Sequence, residues 1–262
     1  MKLRSVALAT LLVVAMCVAP ATAQISAPQA APPGEPQTGQ HAYTFEMRLP
    51  GGRAARLNYL LFLPASYGQD PGARWPLLVF LHGSREVGRD VNRVRRAILP
   101  RLVEENPDFP FIVVSPQSPS LQYGWYPSLD AIEALLDQLQ AALAIDPDRI
   151  YLTGLSMGGY GAWALAMDDP DRFAAIVPVV GGYFFNPKQL CGLKDKAIWV
   201  FGAKRDRNVP LRESERVVNA LRACGGQPRF TVFENADHDL GWELAYTATE
   251  LFEWLLQQRR RS

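Results

Sequence analysis

The chain has 262 residues, 48% of them hydrophobic, and sets 27 lysines and arginines against 26 acids. That hydrophobic content is ample for the core of one large domain or two small ones. The near balance of charge lacks the basic excess that nucleic acid or an anionic membrane would attract, so no nucleic-acid partner is expected.

The chain opens "MKLRSVALATLLVVAMCVAPATAQ", with Lys2 and Arg4 ahead of an apolar run and small residues around Ala23. This is the pattern of a cleavable signal peptide over residues 1–23 and of a secreted or periplasmic mature protein. The run is too short to span a bilayer comfortably, so no stable membrane anchor is expected. Cys17 raises a lipoprotein reading, but Met16 stands where such a signal has a small residue. Residues 24–41, rich in Pro, Ala and Gln and without apolar periodicity, read as a disordered leader. Beyond them no second linker and no repeat interrupts the chain. One catalytic domain is expected over residues 42–258, followed by a solvated basic tail, "RRRS", at 259–262.

Within the domain, "YTFEMRL" and "RLNYLLFLP" alternate around a "PGG" turn and predict an initial pair of strands. Six further strands are expected at "PLLVFLHG", "FIVVSP", "RIYLTG", "AAIVPVVGG", "AIWVFGA" and "RFTVFENA". Helices are expected between them at residues 92–103, 129–144, 157–167 and 211–224, with a last one at 241–258. In the second of these, Ile132, Leu135, Leu136 and Leu139 recur at three- and four-residue steps, which marks one buried face. Strands alternating with helices predict an α/β fold, a mostly parallel sheet covered on both faces. In such a sheet the ligand site lies beyond the carboxyl ends of the strands.

That rule sorts the candidate residues. Gly154-Leu155-Ser156-Met157-Gly158 sits between the strand "RIYLTG" and a helix, at a strand's carboxyl end. A serine there takes a strained conformation, and glycines at its second neighbours remove side chains that would collide in so tight a bend. The alternative is an ordinary turn serine. A serine nucleophile needs a base. Of three histidines, His41 lies at the leader boundary and His82 ends a strand before Gly83, whereas His238 follows a strand on the same edge as Ser156. His238 is therefore the expected base. Asp206, in the loop after "AIWVFGA", is the expected acid that orients it. The alternative places Asp206 in a solvated cluster with Lys204, Arg205 and Arg207. Asp195 precedes its strand and is at the wrong end, and Asp237 adjoins the histidine too closely to turn onto its ring. The backbone amides of Met157 and Ser84 are the expected donors to an oxyanion.

Aromatic residues beyond the strand ends are expected to wall the substrate site: Trp125, Tyr126, Tyr183, Phe184 and Trp242. The segment from 183 to 196, where a lid is usually inserted, is too short for a helical cap, so an open cleft is expected. Cys191 and Cys224 remain once the signal is removed, and two thiols in an exported chain are expected to pair at the amino-end face of the sheet, with two separate buried thiols as the alternative. No CxxC, HxxH, HExxH or phosphate-loop pattern is present, so no metal and no cofactor are expected.

The order Ser156, Asp206, His238 on an alternating sheet resembles the α/β-hydrolase family, and the resemblance covers residues 43–258. "VFLHGSREVGRD", "FIVVSPQSP", "LTGLSMGGYGAWALAMDDPDRFAAIVPVVGG" and "DHDLGWELAY" are similar to secreted and periplasmic esterases of the "predicted peptidase" type, with dienelactone-hydrolase-like, polyhydroxybutyrate-depolymerase-like and feruloyl-esterase-like neighbours. The resemblance implies hydrolysis of a small-molecule or polymer-linked carboxylic ester through an acyl-enzyme, without cofactor. Two departures stand out: Phe201 precedes Gly202 where the family commonly has histidine, and the spacing from His238 to Trp242 is one residue longer. Two other readings stay open, a serine peptidase on the same scaffold and a binding protein without catalysis. Peptidases of this fold often carry a propeller or large cap, for which this chain leaves no room. Oligomeric state is not legible.

Overall fold

The structure, a computed structural model, describes residues 37–48, 52 and 54–260. The expected signal peptide, leader residues 24–36, turn residues 49–51 and the last two residues of the tail lie outside the described residues. Strands β1 (Gly39–Arg48) and β2 (Ala54–Leu63) form the expected antiparallel pair. β3 (Trp75–Leu81), β4 (Ile112–Pro116), β5 (Ile145–Leu155), β6 (Ala175–Val179), β7 (Ala197–Ala203) and β8 (Arg229–Phe233) run parallel to one another, and β2 meets β4 antiparallel. The order is β1-β2-β4-β3-β5-β6-β7-β8. It grows from β3 through β4 on one side and through β5 on the other, so the carboxyl ends of β3 and β5 flank the switch point where such sheets bind ligands.

Helices α1 (Ile98–Glu105), α2 (Leu129–Ala142), α3 (Met157–Asp168), α4 (Leu211–Ala223), α5 (His238–Thr247) and α6 (Leu251–Leu256) cover the two faces. The two-residue period of β3 divides the core between them. Leu77, Val79 and Leu81 point toward Leu135, Leu139, Val217 and Leu221 under α2, α3 and α4. Leu78 and Phe80 point the other way, toward Val103, Tyr246 and Leu255 under α1, α5 and α6. Both faces are thus apolar, which is why the strands read as continuous hydrophobic runs.

Three expectations need correction. The expected helix at 92–103 is a 3-10 segment, Val91–Arg96, and then α1, separated by the extended Ala97. Pro100 dictates the break: it has no N–H to donate, and it is tolerated in the first turn of α1, where amides lack an intrahelical partner. The expected helix at 241–258 is two, α5 and α6, and α5 begins earlier, at His238, because the Asp237 side chain caps it by accepting from the Leu240 amide at 3.0 Å. Thr247 and Thr249 close α5 by bonding back to the carbonyls of Glu243 and Ala245. The ordered domain starts before residue 42, since Gly39, Gln40 and His41 pair with Leu63, Phe62 and Leu61, and Gln40 also donates to the Pro100 carbonyl over α1. Arg259 and Arg260 of the expected solvated tail are exposed, and they bond to Asp146 and Asp148.

Cys191 and Cys224 are joined, with Cα atoms 5.6 Å apart. The bridge ties the 3-10 segment Pro187–Leu193 to the end of α4, beside the amino end of β7 and away from the switch point. Among the described residues no helix is long and apolar enough to cross a membrane.

Candidate active site

Ser156 stands between β5 and α3 with φ 54° and ψ −118°, a strained conformation for any residue with a Cβ. Its neighbours explain how the strain is held. A Cβ on Gly158 would fall 1.8 Å from the Leu81 carbonyl oxygen at the end of β3, and one on Gly154 would fall 2.3 Å from the Gly158 carbonyl. Only glycine lets α3 pack that closely against the strands, and the Ser156 amide bonds to the Val179 carbonyl of β6 at 2.9 Å.

The imidazole of His238, the first residue of α5, bridges the two other expected partners. Its Nδ1 lies 2.7 Å from Asp206 Oδ2 and its Nε2 lies 2.9 Å from Ser156 Oγ. A carboxylate can only accept, so Nδ1 donates to Asp206 and Nε2 turns its lone pair to the serine hydroxyl. The other oxygen of Asp206, Oδ1, accepts from the amides of Asn208 and Val209, both at 2.8 Å. The Asp206 carboxylate is therefore locked on both oxygens and fully buried. It does not join its neighbours' charge cluster: Lys204 pairs with Glu234, and Arg205 bonds Asn235. Asp195 lines a cleft at the far edge of the sheet, and Asp237 is engaged as the cap of α5.

Ser84 opens a 3-10 turn directly after Gly83, and both line the same cleft as Ser156 and His238. Met157 is the first residue of α3, so its amide has no partner within the helix. His82, which the sequence leaves without a role, underlies this loop. It is wholly buried. Its Nδ1 donates to the Gly83 carbonyl at 2.6 Å, and its Nε2 accepts from the Ser118 amide at 3.0 Å. Burial pushes its pKa down to about 4, with the Gly83 bond opposing, so it is a neutral structural imidazole at neutral pH.

The expected aromatic walls divide. Tyr126 and Phe184 line an apolar slot of about 770 Å³ that opens beside Met157, and Phe184 stacks on Tyr160 at 4.3 Å. Trp125 lines its floor but is almost wholly buried, where its indole N–H donates to the His82 carbonyl and its edge fills the space left by Gly161. Tyr183 is buried and packs edge-on to Phe185 instead of reaching the slot, and Trp242 lines the other cleft, beside His238. The reason is local: Tyr183 directly follows Gly181 and Gly182, which are packed against α3 and α4, and the chain emerges only at Phe184. Leu121, Tyr123, Pro127, Met157, Tyr160 and Phe185 also line the slot. Tyr160 was findable, being one helical turn beyond Ser156.

A mostly parallel eight-stranded sheet, helices on both faces and a serine on a sharp turn at the switch point make up the α/β-hydrolase fold, which this chain adopts. Residues 120–186, which span this turn, match the prolyl oligopeptidase family. The chain is 32% identical to a solved thermostable esterase, with a TM-score of 0.70 over 84% of this chain and 63% of that one. It is 28% identical to poly(3-hydroxyalkanoate) depolymerase C of Paucimonas lemoignei over 47% of this chain, and spans 35% of the depolymerase. A ferulic acid esterase shares the fold, with a TM-score of 0.60 at 19% identity over 83% of this chain and 99% of that one.

Proposed function

We propose that the chain is an exported serine hydrolase that cleaves carboxylic esters, with Ser156 as nucleophile, His238 as base and acid, and Asp206 as the group that orients and charges the histidine. The observation that carries this reading is the continuous hydrogen-bonded line from Asp206 through His238 to the strained Ser156. As Ser156 Oγ attacks the ester carbonyl carbon, its proton passes to His238 Nε2, and the buried Asp206 carboxylate stabilises the imidazolium. The carbonyl oxygen becomes an oxyanion that the Met157 and Ser84 amides receive. Collapse breaks the C–O bond, His238 protonates the departing alcohol, and water, deprotonated by the same histidine, releases the acid.

The short 3-10 segment Pro187–Leu193 between β6 and β7 packs on α4 and forms no lid among the described residues, which supports an open cleft. Short acyl or aryl esters, including those joined to a bulky alcohol or polymer, suit such a cleft better than long lipid chains that need a deep tunnel. A serine peptidase is the second reading, favoured by the match of residues 120–186 to the prolyl oligopeptidase family. Turnover of a p-nitrophenyl acetate ester alongside a dipeptide p-nitroanilide separates the two. Ester cleavage with little or no anilide cleavage is expected, and preferential anilide cleavage would favour the peptidase. The export reading rests on residues 1–23, and mass analysis of the mature N-terminus, expected at Gln24, tests it.

A further inference from the structure

Two clefts of similar size, about 770 and about 730 Å³, flank the Ser156 turn, one lined by Met157 and the other by Ser156, and their walls have opposite chemistry. One is the ring-lined slot beside Met157. The other holds Ser156 and His238 together with three arginines, Arg85, Arg93 and Arg96.

The three arginines are not equivalent. Arg85 is taken up by Asp239 at 2.9 Å, and that carboxylate also accepts from the Trp242 indole at 3.3 Å. The remaining acid of the cleft, Glu86, turns its carboxyl to the buried His82 side, 3.8 Å from Nδ1. Arg93 donates Nη1 to the Val87 carbonyl at 3.0 Å and keeps its other nitrogens. Among the described residues no carboxylate lies within ion-pair distance of Arg93 or Arg96. Both stand on the 3-10 segment Val91–Arg96, three residues apart. In a 3-10 helix side chains at that spacing eclipse, so the two guanidinium groups share one face. The segment is pinned at its start, where the Asp90 side chain accepts from the Asn92 amide at 3.1 Å. Two uncompensated, always-charged forks on one anchored face suit the flat, bidentate geometry of a carboxylate.

The direction of the substrate follows from the proton. In the proposed reaction His238 protonates the departing alcohol, so the alcohol half lies on the histidine side of the scissile bond. His238 lines the arginine cleft and does not line the ring-lined slot. The acyl half then extends past Met157 toward Tyr160, Phe184 and Tyr126, whose faces suit a planar ring.

We propose that the chain selects esters that join an aromatic acyl group to an alcohol bearing a carboxylate, with Arg93 and Arg96 binding that carboxylate as specificity-determining residues. The proposal rests on the ester-hydrolase reading above and adds the substrate class.

The test is a matched pair of probes, the 3-phenylpropanoyl ester of 4-hydroxybutanoate and that of 4-hydroxybutanamide, which differ in charge and little in shape. At low ionic strength kcat/KM should favour the carboxylate roughly tenfold, mainly through KM, the order expected of two exposed charge-assisted contacts. The ratio should fall toward one in 0.5 M sodium chloride and in the Arg93→Gln/Arg96→Gln double variant, and Arg96→Glu should turn it against the carboxylate. Equal rates on the two probes in the native protein, or a preference that survives the double variant, overturn the proposal. Should the double variant fail to fold, the salt dependence of the native ratio decides: a ratio that does not fall with salt also overturns it. If neither probe nor any simple aryl acetate is hydrolysed, it is the hydrolase reading that fails, and the two failures are told apart by the carboxamide probe.

Discussion

Lowering the pH from 7 to 4 should expose how much the fold depends on a neutral His82. In the native protein its ring is wholly enclosed, donating to the Gly83 carbonyl and accepting from the Ser118 amide, so protonation would sacrifice the second bond and bury a charge. Its pKa is pushed from 6.5 to about 4. Because the folded value is the lower one, the unfolded chain binds the extra proton between pH 6.5 and 4. Stability carried by the neutral ring is then fully present above pH 6.5 and is lost as pH falls through that window. A shift of that size, at about 1.4 kcal/mol per unit, corresponds to about 3 kcal/mol. Urea unfolding of the native protein and of His82→Gln at pH 7, 6, 5 and 4 isolates the contribution, since groups common to both cancel in the difference. Gln keeps a donor and an acceptor but does not titrate. The variant should be less stable at pH 7, by about 1 to 3 kcal/mol for imperfectly replaced bonds, and the gap should close or reverse by pH 4. Parallel pH profiles would refute the reasoning.

Glu133 supplies the opposite sign. Burial, followed by Asp168 and Asp169, raises its carboxyl to about 7. The folded chain binds the extra proton between pH 4.5 and 7, so stability falls as pH rises through that window, and Glu133→Gln should raise the melting temperature at pH 8 more than at pH 5; an equal shift at both would contradict this. Gly158→Ala places a Cβ against the Leu81 carbonyl, where the rigid backbone of β3 must give way, and should cost about 3 kcal/mol or more, read as the denaturation midpoint. A near-normal midpoint would show that the turn is looser than described. Asp206→Asn should preserve the fold and lower kcat on an aryl acetate by about 10³- to 10⁴-fold, and a loss below tenfold would remove Asp206 from the mechanism.

Much of this arrangement is legible in the amino-acid sequence because the strands are apolar runs and glycines mark the turn that carries Ser156. Ser156, Asp206 and His238 each follow a different strand at its carboxyl end, and knowing which end of each strand bears the site suffices to bring them together. What escaped depends on contacts rather than pattern. The role of His82 is set by Ser118, 36 residues away in the sequence, and nothing in "VFLHGS" announces a ring buried against Trp125. Aromatic type does not separate the exposed Phe184 from the buried Tyr183, because facing in or out depends on how Gly181 and Gly182 pack. The start of α5 at His238 is set by the Asp237 side chain, whose capping bond to the Leu240 amide is a local contact that apolar periodicity does not register.

The most direct test of the central claim is the hydrolysis of p-nitrophenyl acetate by Ser156→Ala compared with the native protein, on preparations of equal melting temperature. The account predicts a fall in kcat of at least about 10⁴-fold, because the side chain lost is the nucleophile and holds up no core. Turnover within tenfold of the native rate by the folded variant would contradict it.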